Sequence, residues 1–423
     1  MSTATDPTAA EKWHPEDESP RTFGALVSGY VDRLRGGDVG SLPAVLGLVT
    51  LVIVFSVLRP DTFPTAYNIG NLLGQSAGIV VLAMGLVFVL LLGEIDLGAG
   101  ITGGVSAAAM GIVLSRHGWP TVPAILVGLL TGAVIGFFIG ILVSRLGIPS
   151  FVVTLATYLG LQGVLLKQTG AGGTIPLQND FIIKLNNGNL SVALGWVLAI
   201  VIIVGYVGGT FWSMRRRRSA GLTAESNLQW ALKAITLTVI VLAVVTFLSA
   251  ERGPHPNLKS IRGLPISLVL MIGLLLVLSF ALSRTTWGRH VYAVGGNAEA
   301  ARRAGINVAW IKLTCFVVAS TIAAIAGILL ASRTNSISPT TGGGTTLLYA
   351  VGAAVIGGTS LFGGKGRIID ALIGGIVIKI IDNGMGLLDQ DQGTVWMVTG
   401  GVLLLAASVD AVSRRRASAS GRV

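Results

Sequence analysis

The stretch AGIVVLAMGLVFVLLLGEIDLGAG, Ala77–Gly100, decides the class of this chain. An unbroken apolar run, 76–93, ends in a short turn with two carboxylates, Glu94 and Asp96, and a second apolar run, 98–115, follows at once. Runs of ~20 apolar residues are long enough to cross a bilayer core of ~30 Å as helices. Further runs fall at 44–58, 121–145, 149–167, 190–213, 229–249, 264–283, 308–332, 347–358, 367–388 and 394–413. The composition agrees: 52% of residues are hydrophobic, 12% are charged, and the mean hydropathy is +0.78. A soluble chain carries about a quarter charged residues. The expectation is an all-α polytopic membrane protein with about 10–12 transmembrane helices.

The net charge of +11 does not point to nucleic acid, because the basic residues cluster in short linkers: Arg215–Arg218, Arg302–Arg303, Lys365 with Arg367, and Arg414–Arg416. Cations beside membrane spans mark the cytoplasmic side. Starting the N-terminus inside, the linkers near 145, 215–227, 284–307 and 363–367 and both termini become cytoplasmic, so every basic cluster lands inside. The domain reading is a tail, 1–40, then a permease domain, 41–413, then a basic tail, 414–423. Within the first tail, Phe23, Leu26, Val27, Tyr30, Val31 and Leu34 share one helical face, suited to a short interfacial helix on membrane lipid.

Several chemistries are disfavoured. The single cysteine, Cys315, lies within an apolar run, and the four histidines lack ligand spacing, so no metal site is expected. GTSLFGGKGR, Gly358–Arg367, imitates a phosphate loop. Thr359 stands where its first glycine belongs, however, and Gly366 follows Lys365 where a magnesium-coordinating hydroxyl is needed. No nucleotide cofactor is expected on this chain.

The linker GRHVYAVGGNAEAARRAGI, Gly288–Ile306, carries the most specific pattern. Asn297 is placed to cap a helix from about Ala298 to Ala304. Glu299 falls in its first turn, Arg302 and Arg303 in its last, and Gly305 stops it. The order Glu299, Ala300, Ala301 and Gly305 reproduces the E-A-A-x-x-x-G loop of bacterial ATP-driven import permeases.

With LLLGEIDLGAG (Leu90–Gly100), GIPSFVVTLA (Gly147–Ala156), AGILLASR (Ala326–Arg333), VIGGTSLFGGKGRI (Val355–Ile368) and DNGMGLL (Asp382–Leu388), the chain resembles the membrane permeases of carbohydrate-uptake ABC importers. The resemblance lies in the ribose, galactose and xylose branch and runs over roughly residues 40–415. The extra pair of spans at 190–249 is similar to xylose-type members. It implies a permease homodimer, cytoplasmic ABC ATPase subunits that use ATP and magnesium, and a sugar-binding protein outside. Asn297, Glu299, Ala300, Ala301, Arg302, Arg303 and Gly305 would form the ATPase-coupling helix, and Gly363, Gly364, Lys365 and Arg367 a cytoplasmic turn. The sequence departs from the family pattern at TTLLYAVGAA, Thr345–Ala354, and at Ile139.

Glu94 and Asp96 are two residues apart and point to different sides of a helix, so they do not suit a catalytic pair. With Gly93 and Gly98 they read as a structural turn or gate, Asp96 holding the turn against the next helix. Gln162 is a candidate for the pathway, and Lys379 with Asp382 an i,i+3 ion pair. The alternative function is an ion-coupled secondary sugar transporter, which needs an intramembrane ionisable centre. An enzyme on a lipid-linked substrate would need a cluster of catalytic groups, and none is found.

Overall fold

A computed structural model describes residues 41–170, 172–222, 226–253 and 260–419, with side chains up to residue 408. The expected helix in the first tail lies outside them. The chain divides into two compact units.

The larger unit, 41–192 and 248–408 among the residues with described side chains, holds most of the helices. In chain order they are α1 (Leu42–Leu58), α2 (Ala66–Leu91), α3 (Ala99–Gly111), α4 (Thr121–Ser144), α5 (Ser150–Thr169) and α6 (Asp180–Asn187). α7 (Val192–Ser219) and α8 (Asn227–Ser249) make up the smaller unit. Then come α9 (Ile266–Arg284), α10 (Thr286–Gly296), α11 (Ala298–Arg303), α12 (Val308–Thr334), α13 (Thr345–Gly357), α14 (Ile368–Leu387) and α15 (Gln392–Ala419). Each apolar run of the sequence is a helix. Among the described residues, eight helices are long and apolar enough to cross a membrane, and α1, α13 and α15 supply shorter apolar segments. α14 has span length but carries Asp370, Lys379 and Asp382.

Four details depart from the sequence reading. α2 starts at Ala66, because Thr65 accepts a cap bond from the Asn68 amide at 3.2 Å and extends the helix ahead of its apolar stretch. α3 ends in a π-helical turn, Ile112–Arg116. The segment 168–189 contains α6 and a two-residue strand, β1 (Ile175–Pro176), paired antiparallel with β2 (Ser336–Ile337). The basic C-terminal tail begins inside α15.

The core of the larger unit forms around α2, whose Val80, Met84, Phe88 and Leu91 are fully buried with Ile322 and Ala326 of α12. Lipid is as apolar as leucine, so helices here are held by close backbone approach. Glycines at four-residue spacing supply it. A methyl group built on Gly132 or Gly136 of α4 would lie 2.6 Å from the Ser320 or Phe316 carbonyl of α12. Gly103 and Gly327 bring α3 and α12 equally close.

The smaller unit, 193–247 among described residues, is a helical hairpin. Trp230 Nε1 donates to Thr210 Oγ1 at 3.0 Å, and the Trp230 ring lies 5.3 Å from Phe211.

Candidate functional site

Three segments distant in sequence meet at one end of the larger unit: the turn 92–98, the segment 285–312 and the turn 358–367. Each is built from residues that end a helix.

Segment 285–312 is a chain of capped pieces. Thr285 caps α10 through the Gly288 amide at 3.0 Å. Asn297 caps α11 through the Ala300 amide at 2.9 Å, and Asn307 caps α12 through the Trp310 amide at 3.0 Å. Gly305 adopts φ +84°, open to glycine at little cost, and the Ile306 amide returns to the Ala301 carbonyl at 3.0 Å. The helix expected at Ala298–Ala304 is therefore present as Ala298–Arg303. Ala301 is buried, while Glu299, Ala300, Arg302 and Arg303 face outward. Glu299 binds Arg302 at 2.7 Å and Arg303 at 3.4 Å, exposed pairs that stabilise the helix only slightly.

The turn 92–98 is tied on three sides. Gly93, at φ +70°, reverses the chain against the Phe362 carbonyl. The Glu94 carboxylate bonds Lys312 in the second turn of α12, both side chains being mostly buried at 15% and 24% exposure. The Ile95 amide donates to Ser150 Oγ at 3.2 Å, and Thr154 Oγ1 donates to the Ile95 carbonyl at 3.2 Å, joining the turn to α5. Asp96 is buried and accepts the Gly98 amide at 2.9 Å at the start of α3. Burial pushes its carboxyl up to about 6, against the opposing pull of the Gly98 and Ala99 amides.

The turn 358–367 closes the site. Gly363 and Gly364 adopt φ +84° and +72°, and the Gly364 amide donates to the Leu91 carbonyl at 2.8 Å. Gly295 of α10 lies so close that a methyl there would meet that same Leu91 carbonyl at 1.8 Å. Tyr292 donates its hydroxyl to the Gly366 carbonyl at 2.7 Å. Arg367 pairs with Asp370 at 3.2 Å, while its amide donates to the same carboxylate at 2.8 Å. Beside α11, a cavity of about 340 Å³ opens between Val143, Ser144 and Gly147 on one side and Arg302, Ile306 and Lys312 on the other.

The structure thus unites the two glycine turns with segment 285–312, but leaves Gln162 apart. Gln162 Nε2 donates to the Pro339 carbonyl at 2.9 Å, tying α5 to the connection after β2. Lys379 and Asp382 pair at 2.7 Å along α14. Sequence reasoning missed Lys312, Ser150, Thr154 and Tyr292. A lone lysine early in an apolar run was the available signal for Lys312, and its partner stands 218 residues away. Among the described residues, no three His, Cys, Asp or Glu side chains are grouped to hold a metal ion.

Helix caps, backbone bonds and the Glu94–Lys312 pair thus connect an exposed helix, α11, with a buried turn, 92–98. Residues 68–407 match the family of branched-chain amino acid transport system permease components. The chain belongs to this permease family. Among curated relatives, the xylose transport system permease protein XylH of Escherichia coli K12 is 32% identical over 92% of this permease and 96% of its own length. The Haemophilus influenzae XylH is 34% identical over 88% and 96%. The ribose import permease protein RbsC of Haemophilus influenzae is 29% identical over 86% and 91%. No solved structure matches significantly. The permease is a multi-pass membrane protein and a transport component.

Proposed function

We propose that this permease is the transmembrane subunit of an ATP-driven, binding-protein-dependent sugar importer, with xylose or a closely related pentose as cargo. The observation that carries the coupling mechanism is α11, capped at both ends, rooted by buried Ala301 and linked through α12 to the Glu94 turn. The xylose and ribose names of its relatives support the cargo.

In this reading α11 docks on a cytoplasmic ATPase chain, which hydrolyses ATP with magnesium. A sugar-binding protein delivers cargo outside, and two copies of the permease enclose the path. The N- and C-termini face the cytoplasm of a bacterial cytoplasmic membrane. No bond of the sugar changes. ATPase closure moves α11, and the Lys312–Glu94 pair carries the movement to the turn that Asp96 holds on α3. Partners shift access only by binding the two states unequally.

The test is labelled-xylose uptake in cells lacking this chain, restored with the native sequence or with Glu299→Arg. Rescue by the native chain alone supports cargo and coupling together. Uptake independent of the chain, with no redundant route present, removes xylose, and rescue by Glu299→Arg removes the coupling role of α11. Asp96→Asn that assembles and transports normally removes the gating role of Asp96.

A further inference from the structure

α7 ends in an unbroken row of arginines, Arg215–Arg218. From Ala193 to Phe247 the sequence has five cations, these four and Lys233, against one carboxylate, Glu225. Arg218 and Lys233 have interactions of their own within the chain. Arg215, Arg216 and Arg217 are exposed, and among the described residues none of the three bonds a carboxylate.

Their height along the helix names the occupant. The most apolar stretches of α7 and α8 are only 11% and 17% buried, and so much exposed apolar surface belongs in hydrocarbon. From Val192 to Phe211, α7 rises about 30 Å, the thickness of a bilayer core. Phe211, Trp212 and, across the hairpin, Trp230 then supply the aromatic band usual at a membrane surface. Arg215–Arg217 follow about 6–9 Å further along the axis, level with lipid headgroups.

Their directions agree. At about 100° per residue, the three sweep roughly 200° of the helix circumference. That is too wide for one protein groove and is matched by a layer of headgroups around the helix. Arg216 lies 5.2 Å from the centre of the Trp212 ring, which holds its guanidinium at the interface with N–H donors left for a phosphate.

We propose that Arg215, Arg216 and Arg217 form a binding site for the phosphodiester headgroups of anionic phospholipids, in the leaflet that this end of α7 reaches. The inference is independent of the coupling reading of α11. Arginines that served only to set the direction of insertion would confer no lipid preference.

The experiment titrates tail-labelled phosphatidylglycerol, and separately phosphatidylcholine, into the purified full-length permease in neutral detergent, and reads bound lipid. The native chain should prefer phosphatidylglycerol and lose most of the preference at high salt. Replacing all three arginines by glutamine should weaken phosphatidylglycerol binding about a hundredfold, with unchanged yield and elution, while replacement by lysine keeps most of it. If the triple glutamine variant does not insert, Arg216→Gln alone should weaken binding about fivefold. No lipid preference in the native chain, or native affinity in a well-inserted glutamine variant, overturns the proposal. Displacement of the lipid by an equal concentration of inorganic phosphate or of polyglutamate also overturns it, reassigning the row to a soluble phosphate or to an acidic protein segment.

Discussion

α2 and α7 are nearly equal in sequence terms and opposite in structure. Their most apolar stretches have mean hydropathies of 2.2 and 2.3, yet 89% of that stretch is buried in α2 and 11% in α7. Both helices contain glycines. In α2, Gly78 lies against Leu330 and Gly85 against the Ala319 carbonyl, whereas Gly205, Gly208 and Gly209 of α7 face open space within this chain. Hydropathy therefore sorts membrane from water, while complementary close approach sorts core from lipid-facing surface.

The strongest challenge to this contrast is to add the same side chain at both kinds of glycine. Gly327→Val would place its Cβ 2.0 Å from the Gly103 carbonyl, and backbone cannot swing aside. A loss of about 3 kcal/mol or more is expected, seen as a collapse of folded yield and melting temperature in detergent. Gly208→Val should stay within about 0.5 kcal/mol of the native chain. Equal effects would end the distinction.

Polar fasteners sharpen it. Glu94→Gln leaves Lys312 mostly buried beside a neutral amide and should cost about 2 kcal/mol in detergent-titrated unfolding, with the Glu94→Gln, Lys312→Met double variant recovering more than half. An additive double variant would show that the pair contributes nothing.

The connection after α8 gives a pH test away from the helix contacts. Glu251 accepts bonds from Ser260 at 2.6 Å, Ile261 at 2.9 Å, Gly253 at 3.0 Å and Arg262 at 2.8 Å, with Ser260 acting most strongly, and its carboxyl is drawn down to about 2. A depressed carboxylate stabilises the fold fully above its ordinary value near 4.5, and this is lost as pH falls through about 2. Amide exchange at Ile261 and Gly253, corrected for intrinsic rates, should lose protection there. Glu251→Gln should lack that protection already at pH 7, and identical profiles would refute the clamp.

The smallest expected effect lies in the smaller unit. Thr210→Val removes the acceptor for Trp230 Nε1 and should cost roughly 0.6 kcal/mol, a typical value for a hydrogen bond between membrane helices. A loss as large as that of Gly327→Val would show that the hairpin relies on polar bonds where the larger unit relies on packing.

Much of the junction was legible because it is local. Asn297, Glu299, Arg302, Arg303 and Gly305 act within one helical turn of their targets, and spacing alone places them. Asp96 reaches only to Gly98, so its hold on the next helix was legible too. Glu94 was half legible: its place in the glycine turn was read from the sequence, but Lys312, 218 residues away, was out of reach of any local rule. The union of the three segments was illegible for the same reason, since Gly295, Leu91 and Gly364 meet through backbone atoms that carry no residue signature. α6 and the β1–β2 pair were hidden because a loop's side-chain bonds to a distant partner, such as Asn187 to the Ser332 carbonyl at 2.8 Å, decide its shape.

By itself, the sequence determined the membrane class, the helical runs, the capped short helix that follows Asn297 and the family resemblance, because apolar length, cap residues and basic linkers act over a few residues. Only the tertiary structure decided which helices are core, which cation answers Glu94 and which turns stand beside α11. Those depend on surfaces hundreds of residues apart meeting within van der Waals distance, in a solvent that offers hydrophobicity no preference among them.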